Sequence, residues 1–376
     1  MKRSAKGIHT ATGPSASRAT SRMSRRGILT AGLGGAGLMG AAALAGTLIS
    51  APSAQVRDAM RSTTMQMQGN PPHHMDHTGT MSMPGVNGEV DHARNGFNPT
   101  DILTDFDVGT ISILPSGQVL HEYTVYAMNK SIEVVPGIFF PAWTYNGRIP
   151  GPTFRVREGD RVRITFINGS THPHSIHFHG IHPASMDGVF NAASGLIPPG
   201  ERYIYEFDAA PFGLHLYHCH ASPLAQHIAK GLYGAFIIDP KEGRPHADHE
   251  FVMVMSGYDV DFDGANDFYQ VNGIPFHYDL SKHPIKIKVG DLVRIYLVNI
   301  LEYDPINSFH LHANFFQYYP TGTSLTPTEF TDIISQMQGQ RGILEFRYNY
   351  PGRYMFHAHK TEFAELGWTG VFDVEA

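Results

Sequence analysis

The feature that most constrains this chain is a histidine pattern that occurs twice and is altered in its second copy. HSIHFH at residues 174–179 and HCH at residues 218–220 return as NSFHLH at residues 307–312 and HAH at residues 357–359. The second copy keeps every imidazole except the first, and Ala358 stands where the first copy has Cys219, the only cysteine of the chain. We interpret the repeat as two halves of one metal cluster, together with a second metal site that only the first half can build.

The sequence around both copies is typical of β-strands. Apolar and polar residues alternate over residues 162–166 and again over residues 293–297, each time after a turn that contains Gly-Asp. Such period-two alternation indicates strands with one buried face. The 39 glycines and 25 prolines in 376 residues also favour short strands and frequent turns over helices. We therefore predict an all-β protein with two homologous domains, over residues 96–245 and 246–376.

Residues 1–54 predict an export signal rather than part of the fold. The pair Arg25-Arg26 precedes a Gly- and Ala-rich apolar run that ends in Ala-Pro-Ser-Ala at residue 54. This is the pattern of a twin-arginine signal with a small-residue cleavage site. The alternative is an uncleaved membrane anchor, although the run is marginal in length for a membrane span. We expect export to the periplasm, the cell envelope or the exterior, with no stable membrane span after cleavage.

The charge balance argues against a nucleic-acid partner. Residues 1–54 hold 7 of the 28 Lys and Arg residues and no acidic residue, which leaves 21 basic against 34 acidic residues and a net charge of −13. So acidic a protein is a poor candidate for binding nucleic acid. An exported chain with a single cysteine also has no internal disulfide. The two histidines that flank Cys219 favour a metal-ligand role for its thiol over an inert core thiol or an intermolecular bridge.

Residues 55–95 form a segment rich in methionine and histidine. The residues concerned are Met60, Met65, Met67, Met75, Met81, Met83, His73, His74 and His77. Thioether and imidazole groups suit copper, so one hypothesis is that the segment captures copper. The other is a flexible linker whose composition is incidental. The sequence leaves both open.

Histidines two residues apart on a strand point to the same side of a sheet. The chain has four such pairs, which are His177 and His179, His218 and His220, His310 and His312, and His357 and His359. Eight imidazoles exceed what one mononuclear ion needs, but they suit three copper ions. Cys219 lies between two of them and so faces the opposite way. There, with His174 and His227, it would form the Cys-His-His set of a blue copper site.

At these residues the chain resembles the multicopper oxidases, specifically the two-domain kind with blue copper in the first domain. The resemblance covers residues 96–376 and implies two cupredoxin-like Greek-key β-sandwich domains with four coppers per chain. It implies type 1 (blue) copper ligands His174, Cys219 and His227, type 2 ligands His177 and His310, and type 3 ligands His179, His218, His220, His312, His357 and His359. Asn307 and Ala358 replace blue-copper ligands, so no blue copper is expected in the second domain.

Four further residues concern the electron and proton chemistry. Leu232 stands where related blue-copper sites often carry methionine, and since leucine cannot donate, the copper would be three-coordinate with a raised potential. Asp187 resembles the acid that family members place near type 2 copper, and Glu362 and Glu365 follow His359 on the type 3 side. Each carboxylate is a candidate for supplying protons. The competing interpretation for each is a solvated loop carboxylate.

The resemblance also implies how the chains assemble. Each domain carries half of the cluster ligands, so a cluster forms where a first domain meets a second. In two-domain relatives this meeting lies between neighbouring chains, which implies a homotrimer with clusters at its interfaces. A cluster closed within one chain is the alternative.

The implied activity is that of a laccase-like oxidase. A phenol, an aromatic amine or a metal ion would be oxidised at the blue copper, and dioxygen would be reduced to water at the three-copper cluster. Copper nitrite reductase is an alternative, but that family has aspartate where this chain has His177 and no counterpart of His220. A copper-sequestering or resistance protein is another. The reductant itself is not predictable, because its choice depends on loops that the motifs do not describe.

Overall fold

The computed structural model describes residues 88–190, 192 and 194–376. Strands make up most of its regular structure, which confirms the all-β prediction. The predicted export signal and residues 55–87 of the Met- and His-rich segment lie outside the described residues. Among the residues that are described, no helix is long and apolar enough to cross a membrane.

The first half of the chain folds into two sheets. Its strands are β1 (Phe106–Asp107), β2 (Thr110–Ile113), β3 (Val119–Val135), β4 (Ile138–Tyr145), β5 (Thr153–Arg157), β6 (Arg161–Asn168), β7 (His177–Phe178), β8 (Arg202–Asp208), β9 (Gly213–His218) and β10 (Tyr233–Asp239). One sheet has the order β1-β5-β10-β9-β7, and the other has the order β2-β3-β6-β8 with β4 also paired to β3. Val162, Ile164 and Phe166 alternate along β6 and are fully buried between the sheets, as the alternation predicts.

The second half repeats this arrangement. Its strands are β11 (His249–Tyr258), β12 (Phe268–Val271), β13 (Ile285–Lys288), β14 (Val293–Asn299), β15 (Ile306–Leu311), β16 (Phe316–Pro320), β17 (Glu329–Thr331), β18 (Ile333–Met337), β19 (Arg341–Phe346), β20 (Gly352–His357) and β21 (Thr369–Glu375). The sheet orders are β12-β11-β14-β19-β16-β17 and β13-β21-β20-β15-β18. Between them lies a core that includes Ile295, Phe356 and Trp368, each fully buried.

The two halves pack against each other through one apolar cluster, to which β3 and β4 of the first half also contribute. Leu216 of β9 and Ile237 of β10 lie in one apolar cluster with Val254 of β11 and Val298 of β14. Both faces of β9 and β14 are therefore buried, and every residue of these two strands is shielded from solvent. A strand covered on both faces is expected to lose the polar alternation that marks a half-exposed strand.

Short helices join the strands near the histidine motifs and at the start of the described chain. They are α1 (His92–Asn95), α2 (Pro99–Ile102), α3 (Leu224–Ala229) and α4 (Thr361–Glu365), with a 3-10 turn at Ala184–Met186. The side chains of Asp91 and Asn98 cap α1 and α2 by accepting hydrogen bonds from backbone N–H groups in the first turn. α3 follows Cys219 and α4 follows His359, so equivalent positions of the two halves carry a helix.

Candidate metal centres

Three side chains converge in the core of the first half. The Sγ atom of Cys219 lies 3.7 Å from Nδ1 of His174 and 3.3 Å from Nδ1 of His227, and the two nitrogens are 3.1 Å apart. A point equidistant from the three atoms lies about 2.0 Å from each, close to the roughly 2.0–2.3 Å of metal bonds to nitrogen and sulfur. The three residues therefore form a set that fits one metal ion.

The local fold explains how these residues meet. Cys219 follows the last residue of β9, so its side chain points away from His218 and into the space between the sheets. α3 returns the chain and brings His227 beside the thiol. The Ser170 hydroxyl lies 2.9 Å from Nε2 of His174, which leaves Nδ1 of that ring for a metal. The Trp143 ring packs against both imidazoles, with centroids 5.2 and 4.6 Å away.

Burial makes this site unfavourable for charge unless a cation is present. It lowers the pKa of His174 to about 3 and that of His227 to about 4, and it raises the pKa of the Cys219 thiol to about 11. Both imidazoles are therefore neutral and have lone pairs to donate at neutral pH. A metal that binds must displace the thiol proton. A donor set of two imidazoles and a thiolate suits copper.

Leu232 lies beside the same site. Its carbonyl accepts a hydrogen bond of 2.9 Å from the backbone N–H of Cys219, and its fully buried side chain belongs to the same apolar cluster. The side chain offers no donor atom. The Leu232 side chain is thus part of the apolar surroundings of Cys219, and its axial position stays a prediction.

The other histidines of the first half form a second group. β7 pairs with β9 so that His177 lies opposite His218. Nε2 of His179 is 2.9 Å from Nε2 of His218. The His177 ring lies 5.1 to 5.3 Å, between centroids, from the rings of His179, His218 and His220. All four imidazoles therefore face one side of the sheet.

The second half builds the same group from β15 and β20. His310 lies opposite His357, and Nε2 of His312 is 2.9 Å from Nε2 of His357. The His310 ring lies 5.1 to 5.4 Å from the rings of His312, His357 and His359. Each half thus presents a pair of Nε2 atoms that point at one another, an arrangement that a shared cation would stabilise.

Backbone groups orient these rings in both halves. Nδ1 of His218 lies 2.9 Å from the carbonyl of Cys219, and Nδ1 of His357 lies 2.7 Å from the carbonyl of Ala358. Because a carbonyl only accepts, each Nδ1 carries the proton and each Nε2 is free to bind a metal. The backbone N–H groups of His220 and His359 donate to the hydroxyls of Ser175 and Ser308.

Aspartates hold the rings of His177 and His310. Nδ1 of His177 lies 2.9 Å from the Asp187 carbonyl and 3.0 Å from its carboxylate. In the second half Nδ1 of His310 lies 2.9 Å from the Asp332 carbonyl, with the carboxylate 3.8 Å away. Sequence analysis identified Asp187 but missed Asp332. The two aspartates follow their histidines at different spacings, so the repeated motif gives no signal for the second one.

Gly188 allows the loop that carries Asp187 to lie close to His177. Its φ is +67°, and a Cβ atom there would lie 2.1 Å from the carbonyl oxygen of Ile176. Only glycine permits so close a backbone approach in the left-handed region. The loop that carries Asp187 can therefore lie directly against the strand that carries His177.

The other proposed acids and neighbouring histidines lie further out. Glu362 and Glu365 are exposed on α4, and the Glu362 carboxylate lies 3.3 Å from the Lys360 ammonium. Nε2 of His182 is 3.5 Å from the Asp187 carboxylate. His215 is buried, with its ring nitrogens 3.2 Å from the carbonyl of His179 and 2.9 Å from that of Pro211, so its single N–H can donate to only one of them.

The two histidine groups are separate within one chain. Among the residues that the structure describes, every ring contact between these eight histidines stays within its own half. Large apolar side chains close to each group in sequence face solvent. Phe190, three residues after Asp187, is 74% exposed, and Phe330, two residues before Asp332, is 65% exposed. Phe330 also packs against Phe315, which is 49% exposed, with ring centroids 5.3 Å apart, so these two rings form a small exposed aromatic patch.

Comparison with known protein families matches both halves to one kind of domain. Residues 129–243 and residues 251–376 match two multicopper oxidase family models. Among characterised relatives, a copper-containing nitrite reductase of Neisseria meningitidis serogroup A is 31% identical over 255 residues. The match covers 62% of this chain and 63% of that protein, so the chain spans less than two thirds of the relative's length.

Solved structures agree with these matches. A crystal structure of a multicopper oxidase is 62% identical, with a TM-score of 0.75, and the match covers 76% of this chain and all of that one. A copper nitrite reductase from Nitrosomonas europaea is 29% identical, with a TM-score of 0.62 and coverage of 68% and 94%. These matches confirm the resemblance that the histidine motifs indicated, and the cupredoxin fold with it. The chain belongs to the multicopper oxidase family.

Proposed function

We propose that this protein is a laccase-like oxidase. It takes electrons one at a time from a reductant and combines four of them with four protons and one dioxygen to form two waters. The observation that carries the proposal is the duplicated histidine arrangement, with an Nε2 to Nε2 distance of 2.9 Å in both halves. A protein that used one copper beside the Cys219 site would have no need for eight imidazoles arranged in two matching groups.

The donor sets fit four coppers per chain. The type 1 site consists of His174, Cys219 and His227, and the type 2 ligands are His177 and His310. The type 3 ligands are His179, His218, His220, His312, His357 and His359. When bound, copper supplies one-electron oxidation at the cysteine site and dioxygen reduction at the histidine cluster. The protein's part is to hold each imidazole in the tautomer that leaves the donor nitrogen free.

The chain itself connects the two sites. Cys219 is covalently bonded to His218 and His220, so an electron at the thiolate is a few bonds from two cluster ligands. The carbonyl of Cys219 also lies 2.9 Å from Nδ1 of His218, which adds a shorter hydrogen-bonded path. Cys219 and its neighbours point to opposite faces, so one short segment holds both sites apart while linking them.

Asp187 is the acid that we propose for proton supply. Its carboxylate lies 3.0 Å from His177 and keeps 33% of its side-chain surface exposed. It is thus close to a cluster ligand and still able to exchange protons with solvent. Glu362 and Glu365, exposed on α4 after His359, are further candidates on the type 3 side.

We further propose that the cluster forms between chains of a homotrimer. Among the described residues, no ring of one histidine group contacts a ring of the other group, which supports completion of each group by the complementary group of a neighbour. In a ring, each first half would meet the second half of the next chain, so three chains would close three clusters. The exposed Phe190 and Phe330 fit a contact surface beside these groups.

Export is also part of the proposal. The twin-arginine pattern in residues 1–54 supports transport to the periplasm, the cell envelope or the exterior. The folded, copper-loaded chain would then meet its reductant outside the cytoplasm.

Copper nitrite reduction is the second candidate, because several relatives whose matches extend over both halves of this chain are copper-containing nitrite reductases. The Neisseria meningitidis protein, 31% identical over 255 residues, is one of them. His177 and His220 argue against it, since the nitrite reductases that the motifs resemble lack both imidazoles. The two functions also differ in the number of coppers they require.

Copper content and turnover together separate these functions. Purified, copper-loaded protein should contain about four coppers per chain and consume dioxygen with a phenol, an aromatic amine, or cuprous, ferrous or manganous ions. Cys219→Ser should abolish oxidation of the reductant while leaving the histidine-bound coppers in place. About two coppers per chain with reduction of nitrite would overturn the proposal, and copper binding without turnover would indicate a sequestering protein.

A further inference from the structure

A third group of histidines lies outside both copper centres. His92 lies on α1, while His277 and His283 lie in the loop between β12 and β13. Their ligand atoms all lie within 4.8 Å of one another. The ring centroids of His277 and His283 are 4.4 Å apart, and the His92 ring is 5.1 and 6.0 Å from them. The fold thus gathers imidazoles from the start of the described chain and from the second half.

The nitrogen atoms of this group are available for a ligand. Nδ1 of His92 and Nε2 of His283 are buried and have no hydrogen-bond partner among the described residues. Buried polar atoms without partners are uncommon, because each one loses its bonds to water without replacement. The Thr100 hydroxyl lies 2.8 Å from Nε2 of His277, which leaves Nδ1 of that ring free. Such an outer hydrogen bond is typical of a metal-binding histidine.

The group surrounds a small cavity with a carboxylate at its edge. The cavity measures about 10 Å³ and is lined by all three histidines together with Glu89 and Lys282. This is about the volume of one water-sized sphere. The Glu89 carboxylate lies 3.4 Å from Nε2 of His283, too poorly aligned for a hydrogen bond but near enough to become a ligand. The Lys282 ammonium lies 5.9 Å from the centre of the Phe276 ring.

The imidazoles are suited to donate lone pairs. Burial and the neighbouring His283 and His92 lower the pKa of His277 to about 2. Burial and His283 also lower the pKa of His92, and Glu89 opposes that change. Neutral imidazole is the form that binds metals. A bound cation would satisfy the unpartnered nitrogens and offset the negative charge of Glu89.

We propose that His92, His277 and His283 bind one further divalent metal ion, with Glu89 as a fourth ligand. Three imidazoles and one carboxylate around a small cavity suit an imidazole-preferring ion such as Zn²⁺ or Cu²⁺. The ion ties α1, at the start of the described chain, to the loop after β12 in the second half. The site shares no ligand with the copper centres and does not depend on the oxidase proposal.

The test is a metal count on the full chain after copper loading and dialysis against Zn²⁺. His73, His74 and His77 are replaced by alanine in every sample, so that the Met- and His-rich segment adds no imidazole-bound metal. The quantity compared is the total number of copper and zinc ions per chain. We expect this total to be higher by one in the protein with only the three alanine replacements than in the same protein that also carries His283→Asn. The identity of the ion lost distinguishes a zinc site from a copper site. His246→Asn is the matched control, because its side chain is 86% exposed and is not one of the three histidines of this group; it should leave the count unchanged.

A second variant separates loss of the site from damage to the fold. Thr100→Val keeps all three imidazoles and removes only the outer hydrogen bond to His277. It should weaken Zn²⁺ binding by about 10- to 100-fold, the effect of losing an outer-shell partner. Cobalt substitution adds a spectroscopic readout, since Co²⁺ in a four-coordinate site gives visible d–d bands that His283→Asn should remove. An equal metal count with and without His283, or unchanged Zn²⁺ affinity in Thr100→Val, would overturn the proposal.

Discussion

Replacing Glu250 by glutamine is expected to destabilise the protein by about 3 kcal/mol at neutral pH. The Glu250 carboxylate, on β11, accepts hydrogen bonds of 2.8 Å from Arg155, 2.9 Å from Arg294 and 2.7 Å from the Tyr296 hydroxyl. Arg155 belongs to the first half of the chain and Arg294 to the second. The carboxylate therefore links the two halves at the edge of the apolar cluster between them.

The size of the effect follows from the pKa of this carboxyl group. Burial by itself would raise the pKa of Glu250, but Arg155, Tyr296 and Arg294 lower it from 4.5 to about 2. At about 1.4 kcal/mol per pKa unit, this difference corresponds to about 3 kcal/mol. Only 24% of the side chain is exposed, so solvent screens the interaction weakly. Since the folded-state pKa is depressed, the contribution is complete above about pH 4.5 and is lost as the pH falls towards about 2.

Urea unfolding of the copper-loaded protein and of Glu250→Gln, followed from neutral pH to about pH 2, measures this contribution. The gap in the free energy of unfolding should be about 3 kcal/mol at neutral pH and should close as the pH falls through the range from about 4.5 to 2. Glu122→Gln is the control, because the Glu122 side chain is 43% exposed where it pairs with Arg163. It should change stability by less than about 1 kcal/mol. A Glu250→Gln gap as small as the control's, or one that persists unchanged at pH 2, would refute the reasoning.

Three further predictions concern the metal centres and the assembly. Asp187→Asn should lower the rate of oxygen uptake by about 10- to 100-fold with the blue absorption intact. Asp332→Asn should have a smaller effect, because its carboxylate lies 3.8 Å from His310. Equal effects of the two variants would count against Asp187 as the proton donor. Leu232→Met should lower the potential of the blue copper in a redox titration, because the thioether can donate where leucine cannot, and an unchanged potential would show that residue 232 is not axial. Phe330→Asp should convert the proposed trimer to monomers in light scattering and abolish oxygen uptake, whereas a stable, active trimer would exclude this surface from the interface.

The sequence is informative about the histidine motifs because strand geometry leaves few choices. Period two puts His177 and His179 on one face and turns Cys219 away from His218, and the structure has this arrangement in both respects. The alternation at Val162, Ile164 and Phe166 likewise identifies the buried face of β6. In each case, neighbours along the chain determine which way a side chain points.

Contacts between distant parts of the chain are not predictable in this way. Asp332 reaches His310 through a loop whose length has no counterpart in the first half. His92 meets His277 and His283 only because the second half folds back onto the start of the described chain. β9 and β10 pack on β11 and β14. Strands of this kind are apolar on both faces, so their sequences do not show which face lies against the other half. No local spacing encodes any of these contacts.

The most direct test of the account is complementation between two inactive variants. His179→Ala disables the first-half histidine group and His312→Ala disables the second-half group, so each variant alone should consume no dioxygen. If clusters form between chains, mixed trimers will pair an intact first half with an intact second half in about one quarter of the interfaces, and oxygen uptake should recover to about that fraction. A mixture of His179→Ala with His218→Ala, both in the first half, should stay inactive. No recovery in demonstrably mixed trimers of the first pair would contradict the central claim that neighbouring chains share the cluster.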